Sequence, residues 1–176
     1  SKHVNIKDLQ DCKQILGIKV RRTSTGAYLS QSHVIHQLLA SFNMTSCRPA
    51  TIPISPSYIQ HTPVVNGSSS GGEQDATGTA SNGQASILSA DQLRSYQSAL
   101  GVLLYISTCT RPDISFAVSV LCRKMQSATA ADMQALKQLM RYMSGTANRE
   151  LALGISQEGL IGYSDAAYAD CPQTRR

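Results

Sequence analysis

The chain of 176 residues has no tryptophan and only two phenylalanines, and aromatic residues make up 5% of it. So few flat side chains give little platform for stacking bases, so a reader of single-stranded sequence is not what this composition suits. The five cysteines, Cys12, Cys47, Cys109, Cys122 and Cys171, form an odd set with no C-x-x-C pair. That pattern suggests neither a disulfide framework nor a zinc ribbon. No run approaches the roughly 18 continuous apolar residues of a membrane span, and Ser1-Lys2-His3-Val4-Asn5 lacks the apolar core of a signal peptide. An intracellular chain with no membrane partner is expected. Nowhere do two aspartates stand side by side.

What is present is an ordinary apolar share, 41%, enough for a folded core in one domain or parts of two. The net charge of +5 is unevenly spread. Seven Lys or Arg face Asp8 and Asp11 before Pro49; Pro49 to Ala90 holds no basic residue but has Glu73 and Asp75; from Asp91 onward nine basic residues face seven acidic ones. The positive charge is therefore concentrated in the first quarter, a distribution that leans towards acidic partners.

Leu16, Ile18 and Val20 alternate with Gly17, Lys19 and Arg21, the period of a half-buried strand whose other face is basic. Thr23-Ser24-Thr25-Gly26 supplies a turn and Ala27 to Ser30 the returning strand. Val34, Ile35, Leu38, Leu39 and Phe42 recur at helical spacing, with Ser30 or Ser32 as the expected N-cap. From His61 to Ser86 the chain is rich in Gly, Ser, Thr and Asn and poor in large apolar residues, which predicts a flexible linker or long surface loop. Ser89-Ala90-Asp91-Gln92 fits a capping box opening a helix through Leu93, Tyr96, Leu100, Leu103 and Leu104. Thr110-Arg111-Pro112-Asp113 ends it and starts a second, with Ile114, Ala117, Val118, Leu121 and Met125 as its stripe. Thr129 and Asp132 start a third, carrying Met133, Leu136, Met140 and Met143 and closed by Ser144-Gly145. Leu151–Ile155 and Leu160–Tyr163 read as a second hairpin.

Several of these pieces, in this order, resemble copia-type retrotransposon reverse transcriptases. Asp8-Leu9, Leu16-Gly17-Ile18, Tyr28-Leu29-Ser30-Gln31, Phe42-Asn43-Met44 and Cys47-Arg48-Pro49 resemble the region downstream of that family's catalytic loop. Tyr96-Gln97-Ser98-Ala99-Leu100-Gly101 with Leu103-Leu104-Tyr105 is similar to its Y-R-x-x-x-G-x-L-L-Y segment, and Thr110-Arg111-Pro112-Asp113-Ile114 matches T-R-P-D-I. Arg141-Tyr142 with Gly145-Thr146 is similar to R-Y-L-K-G-T, and Gly162-Tyr163-Ser164-Asp165-Ala166 to G-Y-S-D-A. The specificity lies in the joint order of the motifs.

The fold class expected is α+β. The resemblance implies a palm and thumb-like end of a reverse transcriptase over 1–60, a flexible linker over 61–88, a helical connection over 89–149 and the start of a ribonuclease H-like domain over 150–176. It implies Mg²⁺ as the metal of the parent enzyme and an RNA–DNA or DNA duplex as partner. Further partners are the palm and ribonuclease H portions of the same polyprotein, in a cytoplasmic particle or the nucleus. The polymerase aspartates are expected before Ser1 and the later ribonuclease H carboxylates beyond Arg176. The chain by itself is accordingly expected to bind no metal tightly and to lack turnover.

Asp165 follows the apolar run Leu160-Ile161-Gly162-Tyr163, where the resemblance places the first ribonuclease H carboxylate. One carboxylate holds hydrated Mg²⁺ weakly, and cleavage of a phosphodiester uses two metals about 4 Å apart. Read from residues alone, a strand-end Asp is a turn former. Ala167, Tyr168 and Cys171 depart from the family's pattern around it. Lys19, Arg21 and Arg22 on one hairpin, and Lys137 and Arg141 one helical turn apart, are placed to contact phosphates, although each also fits a solvated surface. Arg111 has three partners open to it: a phosphate, Asp113 or a helix carbonyl. His33 and His36 have metal-ligand spacing but lie opposite the apolar stripe, with no third ligand. A second reading stands beside nucleic-acid binding: a decayed or domesticated retroelement remnant whose helices serve protein contacts.

Overall fold

The computed structural model describes residues 12–60 and 87–154. Residues 61–86 of the expected linker, Asp8-Leu9, the expected strand Leu160–Tyr163 and Asp165 lie outside the described residues.

Within them the fold is α+β: a four-stranded antiparallel sheet in the order β1-β2-β3-β4, with helices. The strands are β1 (Gln14–Ile15), β2 (Ile18–Thr23), β3 (Gly26–Ser30) and β4 (Leu151–Gly154). The helices are α1 (Ser32–Ser41), α2 (Pro56–Gln60), α3 (Ala90–Cys109), α4 (Ser115–Cys122) and α5 (Ala130–Gly145), and a short 3-10 turn over Pro112–Ile114 leads into α4. None of these helices is long and apolar enough to cross a membrane.

Period-two alternation holds along β2, where half-buried Ile18 and Val20 alternate with exposed Lys19 and Arg21. Leu16 departs from the expectation. It and Gly17 form the turn between β1 and β2, both at positive φ (48° and 78°), and Leu16 is 83% exposed. A left-handed leucine is sterically strained, whereas Asn tolerates that region. Leu16→Asn is therefore expected to stabilise the fold by about 1 kcal/mol, read as a higher urea midpoint at unchanged slope. A lower midpoint would show that the leucine side chain contributes more than its backbone costs.

Gly26 opens β3 where no side chain fits: a Cβ there would come within 2.4 Å of the Leu153 carbonyl oxygen on β4. The pairing of Leu29 with Leu151 through to Gly26 with Gly154 attaches β4 to the sheet of the first hairpin. Alternation in the sequence shows β4 as a strand without showing this partner.

The expected Ser cap of α1 is replaced by Gln31, which makes no side-chain cap; Ser30 Oγ instead accepts from the Ser32 N–H at 3.3 Å. At the other end, Asn43 has φ 54°. The Met44 N–H donates to the Leu39 carbonyl at 2.8 Å and that of Asn43 to Ala40 at 3.0 Å. This is a Schellman termination with Asn in the left-handed position, and it explains Phe42-Asn43-Met44 as a stop signal. The capping boxes at Ser89/Gln92 and Thr129/Asp132 form as expected. The short α2 is an addition to the expected elements; Pro56 at its first position suits a helix start.

The core lies among the helices. Ile35, Leu38 and Leu39 of α1 and Ile54 join Leu100, Leu103 and Ile106 of α3, Val118 and Leu121 of α4, and Leu136, Leu139 and Met140 of α5 in one buried cluster. Each large side chain so buried contributes roughly 1.5–3 kcal/mol. The stretches before residue 61 and after residue 86 thus share one core. Leu88 is tied to it as well, its N–H donating to the Ala128 carbonyl at 2.9 Å.

Candidate nucleic-acid interface

The basic hairpin borders a cleft of about 750 Å³ between β1, β2, the start of α1 and the residues entering β4. Lys19 pairs across the sheet with Ser30 and Arg21 with Tyr28, so both cations share one face. Arg22, opposite Ala27, belongs by alternation to the other face yet also borders the cleft. A fourth cation, Lys13, completes the set; its carbonyl accepts from the Val20 N–H at 2.9 Å. Sequence reading missed Lys13 because it did not identify β1 as a strand beside β2. Ser30, which ends β3, and Ser32, which opens α1, also line the wall, and Glu150 is the one carboxylate of the lining among the described residues.

Arg21 is already engaged. Its Nη2 meets Glu150 Oε2 at 2.5 Å and its guanidinium lies 4.1 Å from the centre of the Tyr28 ring. The hydrogen bond to Glu150 raises its pKa further above the ordinary arginine value. Both partners keep substantial exposure, 56% and 32% of their side chains, so water screens the pair and it adds little to the stability of the fold.

Lys137 and Arg141 lie along α5, where they border a groove of about 820 Å³ with Phe42, Met44 and Tyr58. Arg141 Nε donates to the Arg48 carbonyl at 2.7 Å, which fixes its direction. Lys137 also borders an adjoining groove with Arg94, itself 3.7 Å from Asp91.

Arg111 is placed differently. It is 2% exposed, and its Nε and Nη2 hold both carboxylate oxygens of Asp113 at 2.9 and 2.8 Å. Nη1 and Nη2 reach the Thr146 carbonyl and hydroxyl at 2.9 and 2.7 Å. Of its three open partners the structure supplies Asp113 and a backbone carbonyl together, so the expected phosphate contact by Arg111 is corrected to a structural clamp. Tyr142 donates to Asp113 at 2.8 Å. Burial works against the Asp113 charge, but hydrogen bonds from Arg111 and Tyr142 outweigh it and hold its pKa below the ordinary value. Thr110, beside Arg111, donates to Gln31 Oε1 at 2.7 Å. Thr110–Ile114 is thus joined to Gln31 by one hydrogen bond and to Tyr142 and Thr146 by a separate set of bonds around Arg111 and Asp113. Arg111's donors could not be assigned from sequence because Thr146 is 35 residues away.

His36 is exposed, as expected of a polar face, whereas His33 is half-buried with its Nδ1 enclosed and without a hydrogen-bond partner. Among the described residues, no group of three or more His, Cys, Asp or Glu is placed to hold a metal.

No family model and no solved structure matches the chain. It is similar to the retrovirus-related Pol polyprotein from transposon TNT 1-94 of Nicotiana tabacum, 33% identical over 171 residues, 96% of this chain and 12% of that protein. It is also 34% identical over 173 residues to the Pol polyprotein from transposon RE1 of Arabidopsis thaliana, 96% of this chain and 10% of that protein. An uncharacterized mitochondrial protein of Arabidopsis thaliana is 30% identical over 173 residues, 98% of this chain and 62% of its own length. The order of motifs and these relatives agree: the chain belongs with the copia-type retrotransposon Pol polyproteins, matching about a tenth of their length.

Proposed function

We propose that this chain is a nucleic-acid-binding part of a retroelement reverse transcriptase and ribonuclease H polyprotein. It holds a primer–template duplex, RNA–DNA or DNA, by its phosphates while other parts of the polyprotein carry out the chemistry. The observation that supports this reading best is the cleft bordered, among the described residues, by Lys13, Lys19, Arg21 and Arg22 and by one carboxylate, Glu150. Four cations set around one concavity suit a backbone whose charges repeat regularly, and they recognise charge and shape rather than base sequence. Lys137 and Arg141 are the next candidates. Asp165 keeps the role the resemblance gives it, a first ribonuclease H carboxylate that would share Mg²⁺ with ligands from elsewhere in the polyprotein. A cytoplasmic particle or the nucleus is the proposed setting.

The test is binding of a labelled RNA–DNA hybrid at several salt concentrations. Replacing Lys13, Lys19 and Arg22 together by Ala is expected to weaken binding and to flatten the logarithmic salt slope by about 0.9 for each phosphate no longer neutralised. An unchanged slope would move the binding face away from this cleft, with Lys137 and Arg141 next to be replaced. The second reading, a remnant serving protein contacts, draws on exposed Leu104 and Phe116 on α3 and α4. A chain that shows no salt-dependent duplex binding would favour it.

A further inference from the structure

Glu150 stands immediately before β4, whose Ala152 pairs with Tyr28, which in turn pairs with Arg21. The sheet register thus brings a carboxylate from beyond α5 onto the basic face of β2, across 129 residues of sequence. There it takes the Arg21 guanidinium, which also lies over the Tyr28 ring. A carboxylate and a phosphate diester offer the same pair of acceptor oxygens to an arginine, so the contact that a phosphate would make is already made within the chain. Resting on the phosphate-cleft reading above, we propose that Glu150 is an internal competitor for Arg21, displaced when a nucleic-acid phosphate enters the cleft.

Charge counting makes the consequence measurable. Each phosphate neutralised by the protein releases a cation from the duplex. If Glu150 is freed at the same time, its carboxylate stays beside the phosphates and repels them, which offsets part of the attraction at low salt. The wild-type salt slope is therefore shallower than that of a chain without the Glu150 charge.

The experiment uses the full chain, the same labelled RNA–DNA hybrid and a set of variants. Glu150→Gln keeps the shape and an acceptor oxygen while removing the charge, and Glu150→Ala removes both. Each is expected to tighten binding about two- to tenfold, the range available from releasing an exposed ion pair and an unfavourable field, and to steepen the salt slope. Arg21→Ala is expected to have a small effect alone but to abolish the gain in the Glu150→Gln background. A gain that survives the removal of Arg21 would reflect net charge alone and overturn the competition. So would unchanged or weaker binding by both Glu150 variants while the Lys13, Lys19 and Arg22 replacement still weakens binding, a result that leaves the cleft reading standing. If that triple replacement has no effect, the cleft reading and this inference fall together.

Discussion

Replacing Asp113 by Ala is expected to destabilise the fold by about 3–5 kcal/mol, because it leaves a buried guanidinium without its counter-charge. Arg111 is 2% exposed and cannot turn to water, and the Thr146 carbonyl and hydroxyl that remain do not neutralise it. Replacing Arg111 is expected to cost less, since Asp113 has 32% of its side chain exposed and can recover hydration. Urea unfolding of both variants measures the difference; a loss under about 1 kcal/mol for Asp113→Ala would show that the pair is not what holds Thr110–Ile114 to the end of α5. The same pair sets an acid limit. Asp113 has a folded pKa below its ordinary value of 3.8, so its contribution is complete above that value and is lost as pH falls through the folded one. Acid unfolding of the wild type should therefore be steeper below about pH 4 than that of Asp113→Asn.

Asp132→Ala is expected to cost about 2–4 kcal/mol, because it removes the N3 half of the capping box and a buried acceptor shared by the Thr129 and Tyr58 hydroxyls. Asp132 is 3% exposed. Its Oδ2 accepts from the Thr129 N–H and hydroxyl at 2.6 and 2.8 Å, and its Oδ1 accepts from the Tyr58 hydroxyl at 2.5 Å. One carboxylate thus starts α5 and fastens α2 to it. Burial, and then the hydrogen bond to Asp132, push the Tyr58 pKa well above the ordinary 10.0, and burial does the same for Tyr96. A tyrosine whose folded pKa is raised contributes stability below its unfolded pKa and loses it as pH climbs towards the folded one. Stability should hold up to about pH 10 and fall beyond it. Tyr58→Phe should be less stable at neutral pH yet lose less on going alkaline. A variant that loses as much as wild type between about pH 9 and 11 would assign the alkaline limit to other groups.

Local signals were legible in the sequence and distant partners were not. The caps at Ser89 and Thr129 and the alternation of β2 are contained within a few residues, and each formed as read. Leu16 was misread because alternation cannot distinguish the last residue of a strand from the first of a tight turn. Thr110-Arg111-Pro112-Asp113-Ile114 was legible as a helix boundary, but the buried role of its arginine depends on Thr146 and Tyr142. At the candidate interface, Lys19, Arg21 and Arg22 were visible as a basic hairpin. Lys13 and Glu150 joined them only through the pairing of β1 and β4 with the same sheet.

That pairing also bears on the order in which the molecule is made. A chain leaves the ribosome N-terminus first, at roughly 5–20 residues per second. The hairpin of β2 and β3 can form early from neighbours in sequence, but the far edge of β3 stays open until Leu151–Gly154 has emerged. For several seconds of synthesis the nascent protein therefore displays Lys19 and Arg21 with no Glu150 opposite them. The basic cleft acquires its last wall and its carboxylate in the same late event.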